Sequence, residues 1–596
     1  MFQTFNETSE GTRGPERLAA LRAAMAGSKL DAYLVPRADA YQGEYVTDCD
    51  ARLAWLTGFT GSAGFCAVTC EEAGVFVDGR YRVQVRAQVD ASAYAPVNWP
   101  EVKLASWLGE RLRAGMKVGF DPWLHTAKEV EELEKEFAPK GIELVPGDNL
   151  IDHIWADRPP APSGKAVDHP IEFAGESSAD KRARLAAELK KADQAAAVLT
   201  LPDSVSWLLN IRGSDIPRVP IVHAFALLHD DGHVFVFADP AKFDGVTLDS
   251  EVSVKQQDEF TAILAAQDGP IRVDKSSAPY AVTLALQAAG IEIAYADDPC
   301  QLPKACKNAT ELQGARDAHI RDAVAMVKFL AWVDEAAPSG RLTEIRVAER
   351  LEEFRRENNQ LLDISFETIA GTGPNAALPH YRVSTDSNRP VVPGELLLVD
   401  SGGQYRDGTT DITRTMATGQ AEPHEKAAFT RVLQGMIAIS RVRFPRGFAG
   451  RDLDSLARYP LWLAGQDYDH GTGHGVGSYL SVHEGPQRIS RLSEAKLQEG
   501  MILSNEPGYY CEGHFGIRTE NLIVVRKAPS LGDKRDQLSF ETITFVPIDK
   551  RLILPEMLSG DERGWLNAYH AEVWGKISSL VEGEVKDWLR QATAPL

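Results

Sequence analysis

The chain has 596 residues, of which 44% are hydrophobic and 25% charged, and it carries a formal net charge of −21. That size implies about three to five globular domains, and the acidic balance argues against a general binder of nucleic-acid backbone. No apolar run approaches the roughly 18 residues of a membrane span, and the opening MFQTFNETSEGTRG has no basic and apolar regions of a secretory leader.

Taken in order, the first elements are an amphipathic helix over Arg17–Met25, a strand at Ala32–Pro36 and a strand at Ala73–Val77. A second round follows: a helix over Lys181–Ala192, then strands ending at Pro202 and at Phe237. WLTGFTGS at 55–62 echoes WLLNIRGS at 207–214, each after a strand that ends in proline. Two related α/β domains are therefore predicted, at 1–157 and 158–307, joined near RPPAPSG at 158–164. Only the first copy has an insert. Trp55 lies 19 positions after Pro36, whereas Trp207 lies five after Pro202. The insert holds Tyr41, Glu44, Tyr45 and Arg52, and it is expected to border a substrate or subunit surface. Six cysteines, at 49, 66, 70, 300, 306 and 511, lack the spacing of a zinc knuckle and read as reduced thiols in a reducing compartment, so a cytoplasmic location is expected.

A sharper echo lies further on. After a predicted helix over Ala309–Ala337, GELLLVD at 394–400 parallels GMILSNE at 500–506. In both, a glycine opens an apolar strand that ends in an acid six residues on, and a second acid follows, Asp411 or Glu520. Residues 308–554 thus read as one pseudo-symmetric domain, and the tail, 555–596, as a helical extension with Leu566, His570, Val573, Ile577 and Leu580 at helical spacing. A four-residue loop at Gln404–Asp407 would set Asp400 opposite Asp411, and a hairpin centred on Gly513 would set Glu506 opposite Glu520. Four converging carboxylates repel unless cations meet them. His474, in DHGTGHGVG, is a fifth candidate ligand, and the glycines around it allow close backbone approach. Four carboxylates balance two divalent ions, and the oxygen-rich set favours Mn²⁺, with the histidine leaving Zn²⁺, Co²⁺ or Fe²⁺ open. Such a pair activates water near neutral pH.

These residues resemble the metal-dependent pita-bread peptidases, and in particular the long, three-domain Xaa-Pro aminopeptidases. The matching motifs are GTGPNAALPHY (371–381), DSGGQYRDGTTDITRT (400–415), HGTGHGVGSYLSVHEGP (470–486), NEPGYY (505–510) and GIRTEN (516–521), with DGRY (78–81), GFTGSAG (58–64) and GWLNAYH (564–570) outside them. The resemblance implies two creatinase-like α/β domains before a pita-bread catalytic domain. It implies that Asp400, Asp411, His474, Glu506 and Glu520 hold two metals, with Asp411 and Glu520 bridging. It also implies that His380, His470 and His483 line the substrate site, with Arg518 beside a proline pocket. Glu506 would shuttle a proton, and His483 would help the developing oxyanion. Arg52 is included among the substrate residues. Relatives of this type often carry histidine where Tyr41 stands, so the first domain's contacts depart from the pattern. The implied substrates are peptides with a penultimate proline, acted on by a homodimer. A prolidase limited to dipeptides is the nearest rival, and a silent pita-bread binding module the rival of another class.

Overall fold

In the computed structural model, which describes residues 1–532 and 534–596, two stretches fold by one plan. Strand Ala32–Pro36 is bordered by Phe65–Thr69 on one side and Lys117–Phe120 on the other; Ala73–Val77 and Ala95–Asn98 extend one edge, Glu143–Pro146 the other. Strand Ala196–Leu199 is surrounded in the same order by Phe225–His229, Val234–Phe237 and Val252–Lys255, and by Ile271–Val273 and Ile293–Tyr295. In each sheet two antiparallel pairings join the first three strands in sequence, and parallel pairings extend both edges. Strands Ala73–Val77 and Ala196–Leu199 are apolar and buried along their length, as sheets covered on both faces demand. Helices Gly14–Gly27 and Ser178–Lys191 supply equivalent apolar surfaces, through Leu18, Leu21 and Met25 in one and Leu185 and Leu189 in the other.

The insert is not a free loop. Asp39 accepts hydrogen bonds from the backbone of Tyr41 and Gly43. The Tyr41 ring stacks on His223, with centroids 4.2 Å apart, and packs against Phe225 of the second sheet. Both sheets belong to one compact unit, Thr8–Ile171 with Glu176–Gln301.

The other compact unit is Leu302–Leu596 with Met1–Glu7 and Glu172–Gly175. Met1–Glu7 belongs here through bonds such as Phe2 N to Glu352 and Gln3 Nε2 to the Thr368 carbonyl. This unit is itself built twice. Helices Ala309–Ala336 and Glu344–Arg356 precede strands Ile369–Thr372, Leu396–Ser401 and Ile412–Ala417, which pair in that order. Helices Pro423–Arg441 and Arg451–Trp462 precede strands Gly473–Gly475, Ile502–Asn505 and Asn521–Lys527, again adjacent in that order. The glycines that open the two acid-bearing strands, Gly394 and Gly500, have φ of +102° and +90°, a conformation that disfavours a side chain.

The helical extension of the tail is two helices, Gly560–Ile577 and Gly583–Ala592, with Leu580 between them. Leu566, His570, Val573 and Ile577 are buried as their spacing predicts, but the chain leaves the helix before Leu580, which is 49% exposed.

Candidate metal centre

Apolar strand residues carry the acids inward. Leu396–Val399 run into Asp400, and the segments around Asp411, Glu506 and Glu520 lie at strand ends beside it. The expected pairing of Asp400 with Asp411 is wrong by two residues. The turn is the tight one at Arg406-Asp407, where Tyr405 pairs with Gly408, so Asp400 faces Thr413. Asp411 then lies diagonally from Asp400 on the same face, still within reach of a shared centre. In the second half the pairs Asn505–Asn521 and Gly508–Arg518 are both centred on Gly513, which sets Glu506 and Glu520 opposite one another.

Asp400, Asp411 and Glu520 are buried, and Glu506 and His474 are half-buried. Ligand atoms of Asp411, His474 and Glu520 lie within 4.8 Å of one another. His474 Nδ1 is 3.0 Å from the Gly475 carbonyl, which accepts its proton, and this leaves Nε2 facing Asp411 Oδ2 and Glu506 Oε1, each at 3.4 Å. The flanking glycines are required. A Cβ on Gly473 would lie 1.9 Å from the Ser504 carbonyl oxygen, and one on Gly475 would lie 2.2 Å from that of Glu484.

Three of the four acids have an outer partner. Thr413 donates to Glu520 Oε2 at 2.8 Å, Ser504 to Glu506 Oε1 at 3.1 Å, and Arg518 to Asp400 Oδ2 at 2.7 Å. The opposite oxygens are left over. Asp400 Oδ1, Asp411 Oδ1 and Glu520 Oε1 are buried and have no hydrogen-bond partner among the described residues. Orphaned buried carboxylate oxygens cost several kcal/mol each unless a cation meets them, so the donor set fits the expected divalent ions. The electrostatics agree. Burial, reinforced by Asp400 and only partly offset by His474, pushes the Asp411 carboxyl up to about 6. Burial and then Asp411, Asp400 and Glu506 hold Glu520 well above the carboxylate range. Burial would lower His474, but Asp411 and Glu506 outweigh it and raise the imidazole to about 9. Protons here take the place of positive charge that the acids lack.

The other expected residues are distributed unevenly. His483 packs edge-on against His474, with ring centroids 4.3 Å apart. His470 Nε2 lies 2.9 Å from the Tyr510 hydroxyl, which accepts from Arg518 at 2.6 Å. Arg518, 2% exposed, also reaches Thr413 at 3.1 Å, so a continuous chain runs His470–Tyr510–Arg518–Asp400. His380 lies half-buried in the turn after the short helix Gly373–Ala377. Arg52 is buried within the other compact unit, where Nε and Nη2 fork onto Asp152 at 2.7 and 3.0 Å, and Nη1 meets Asp50 at 2.9 Å. Its charge is neutralised internally. Tyr510, Thr413 and Ser504 were not expected as site residues. Tyr510 lies inside NEPGYY, and the alternation of the strand after Asp411 points Thr413 to the same face.

Residues 17–154 and 157–311 match the creatinase/prolidase N-terminal domain, 313–527 match metallopeptidase family M24, and 536–596 match the C-terminal region of that peptidase family. The chain is similar to aminopeptidase P2 of Arabidopsis thaliana, with 40% identity over 98% of this chain and 88% of the relative. It is equally similar, at 40% identity over 98% and 93%, to a probable Xaa-Pro aminopeptidase P of Laccaria bicolor. Among solved structures it resembles the X-prolyl aminopeptidase of Caenorhabditis elegans, described as a cytosolic enzyme with a di-nuclear active site. That likeness has a TM-score of 0.92 and 34% identity, and covers 98% of this chain and 99% of that one.

Two outcomes follow from the geometry. Asp411→Ala or Glu520→Ala is expected to abolish retention of both metals, measured by elemental analysis, while circular dichroism keeps the wild-type spectrum. The metal-free protein is expected to lose thermal stability as pH rises. Folded Asp411 holds a proton between its ordinary 3.8 and about 6, and folded His474 between 6.5 and about 9, where the unfolded chain releases them. The gain in Tm on adding metal should therefore grow from pH 5 to pH 8, as calorimetry at both values will read.

Proposed function

The chain belongs to metallopeptidase family M24, with two creatinase-type domains before a pita-bread catalytic domain, and from that premise we propose that it is an Xaa-Pro aminopeptidase. It hydrolyses the bond between an N-terminal residue and a penultimate proline. The observation that carries the assignment is the group of buried carboxylate oxygens without partners around His474. Asp400, Asp411, His474, Glu506 and Glu520 would hold two divalent ions, with Mn²⁺ favoured by the four carboxylates to one imidazole. Bound there, such a pair supplies Lewis-acid polarisation and makes water nucleophilic near neutral pH.

The chain's own groups do the rest. Glu506, held by Ser504, takes the proton of the attacking water and delivers it to the departing proline nitrogen. An amine leaves as a neutral molecule only once its nitrogen is protonated, so cleavage requires the delivery. His483, against His474, donates an N–H to the substrate carbonyl as its oxygen gains charge. His380 and His470 position the peptide, and the Tyr510–Arg518 link ties His470 to the ligand Asp400. Arg518 borders the proline ring pocket.

The enzyme is proposed to be a cytoplasmic homodimer. Helix Arg451–Trp462 and the residues after it expose Leu456, Tyr459, Trp462 and Leu463, spaced along one face, and Arg491 beside Trp462 is followed by an exposed Leu492. A second copy of the chain covers this apolar surface in the proposal. Among the described residues no helix is long and apolar enough to cross a membrane.

Steady-state assays on Arg-Pro-Pro and Arg-Ala-Ala test the assignment. Release of arginine from the first and not the second is expected; equal turnover of the two refutes it. His483→Ala should lower kcat by roughly 100-fold with little change in KM, since its bond strengthens only as charge develops. Leu463→Glu should shift the sedimentation coefficient from dimer to monomer; an unchanged value removes this face from the interface.

A further inference from the structure

Glu484, next to His483 in the HEGP motif, touches none of the five expected metal ligands among its bonded partners. Its side chain is wholly buried, yet it is ionic: Lys304 Nζ lies 3.2 Å from Oε2, and Lys307 Nζ donates to Oε1. The two lysine side chains are 2% and 1% exposed. Lys307 Nζ also donates to the Lys304 carbonyl at 2.7 Å, and the Lys307 backbone N–H to the Gly500 carbonyl at 3.1 Å. A buried ion cluster is a poor source of stability, because desolvation offsets most of the attraction, so it calls for another reason. The sequence around it supplies one. Glu484 pairs in register with Gly475, the neighbour of His474, and the ladder is irregular between His474 and Gly475. The backbone there cannot be held by regular pairing alone.

We propose that the Glu484–Lys304–Lys307 cluster is a positioning device for His483: it anchors the residue after His483 from beneath, and so fixes where the imidazole meets the substrate carbonyl. The charges act through geometry. A carboxylate with one ammonium group on each oxygen has one orientation, and its backbone inherits that constraint. The adjacent imidazole is then held edge-on to His474. This inference rests on the role given to His483 above. The wild-type assay on Arg-Pro-Pro tests the activity and His483→Ala alone tests that role, so failure of either is read before any cluster variant is.

The experiment uses Lys307→Met, which leaves Glu484 paired with Lys304, and Glu484→Gln, each alone and in a His483→Ala background. Support is a fall in kcat of roughly 10–100-fold, the scale of losing an outer-shell partner, with KM within about threefold, two metals retained, and no further fall beyond about twofold in the His483→Ala background. Glu484→Asp, which keeps the charge, should recover part of the loss. In the metal-free protein, the His483 ring resonance should shift in Lys307→Met. Wild-type kcat in Lys307→Met overturns the proposal, as does an additive loss in the His483→Ala background. Loss of metal from Lys307→Met also overturns it, because the cluster would then serve the ligands. Failure of both variants to fold overturns it too, since the cluster would then be part of the scaffold.

Discussion

Negative charge withdrawn from water is the constraint around which the catalytic unit is arranged. Three buried carboxylate oxygens, of Asp400, Asp411 and Glu520, have no donor among the described residues, while the other oxygens of Asp400 and Glu520 are held by Arg518 and Thr413. One oxygen fixed and one left over is the arrangement of a ligand, because the outer bond sets the orientation of the inner atom. The same logic explains His474. Its Nδ1 is committed to a backbone carbonyl, so Nε2 has one direction in which to act.

Duplication makes this arrangement possible. One half-domain delivers acids at the end of an apolar strand and just before the next. Two copies facing each other bring four acids to one place. The close approach depends on backbone without side chains, which is why glycine flanks His474 on both sides. The halves are also stitched together at the site itself. Glu520 N–H bonds to the Thr413 carbonyl at 3.2 Å, and Thr415 and Arg518 exchange hydrogen bonds across the same seam.

The duplicated α/β plan and the five converging residues were legible because they repeat in spacing, and spacing survives where register does not. The register of the first hairpin was misread because Gln404–Asp407 and Arg406-Asp407 are both acceptable turns; the choice fell to pairing of Tyr405 with Gly408. The break in the tail was not legible, because apolar periodicity continues through Leu580 although the helix stops before it. The partner of Arg52 was not legible, because a sequence does not reveal that Asp152, 100 residues away, supplies it. Tyr510 and Thr413 act by completing bonds between other residues, and such a role leaves no pattern of its own.

The bonds of the first few residues bear on how this polypeptide can be divided. The chain passes between its two compact units after residues 7, 171, 175 and 301. A fragment beginning at Leu302 would leave the Glu352 carboxylate without the Phe2 amide, and Arg382 without the Thr4 and Asn6 carbonyls. It would also leave Asn308, which caps the helix Ala309–Ala336, without the Ala174 carbonyl. The catalytic half is therefore not a contiguous stretch that can be cut out and transplanted. Its borders in space and its borders along the gene are different things, and a ribosome finishes its first residues some three hundred codons before the body they complete.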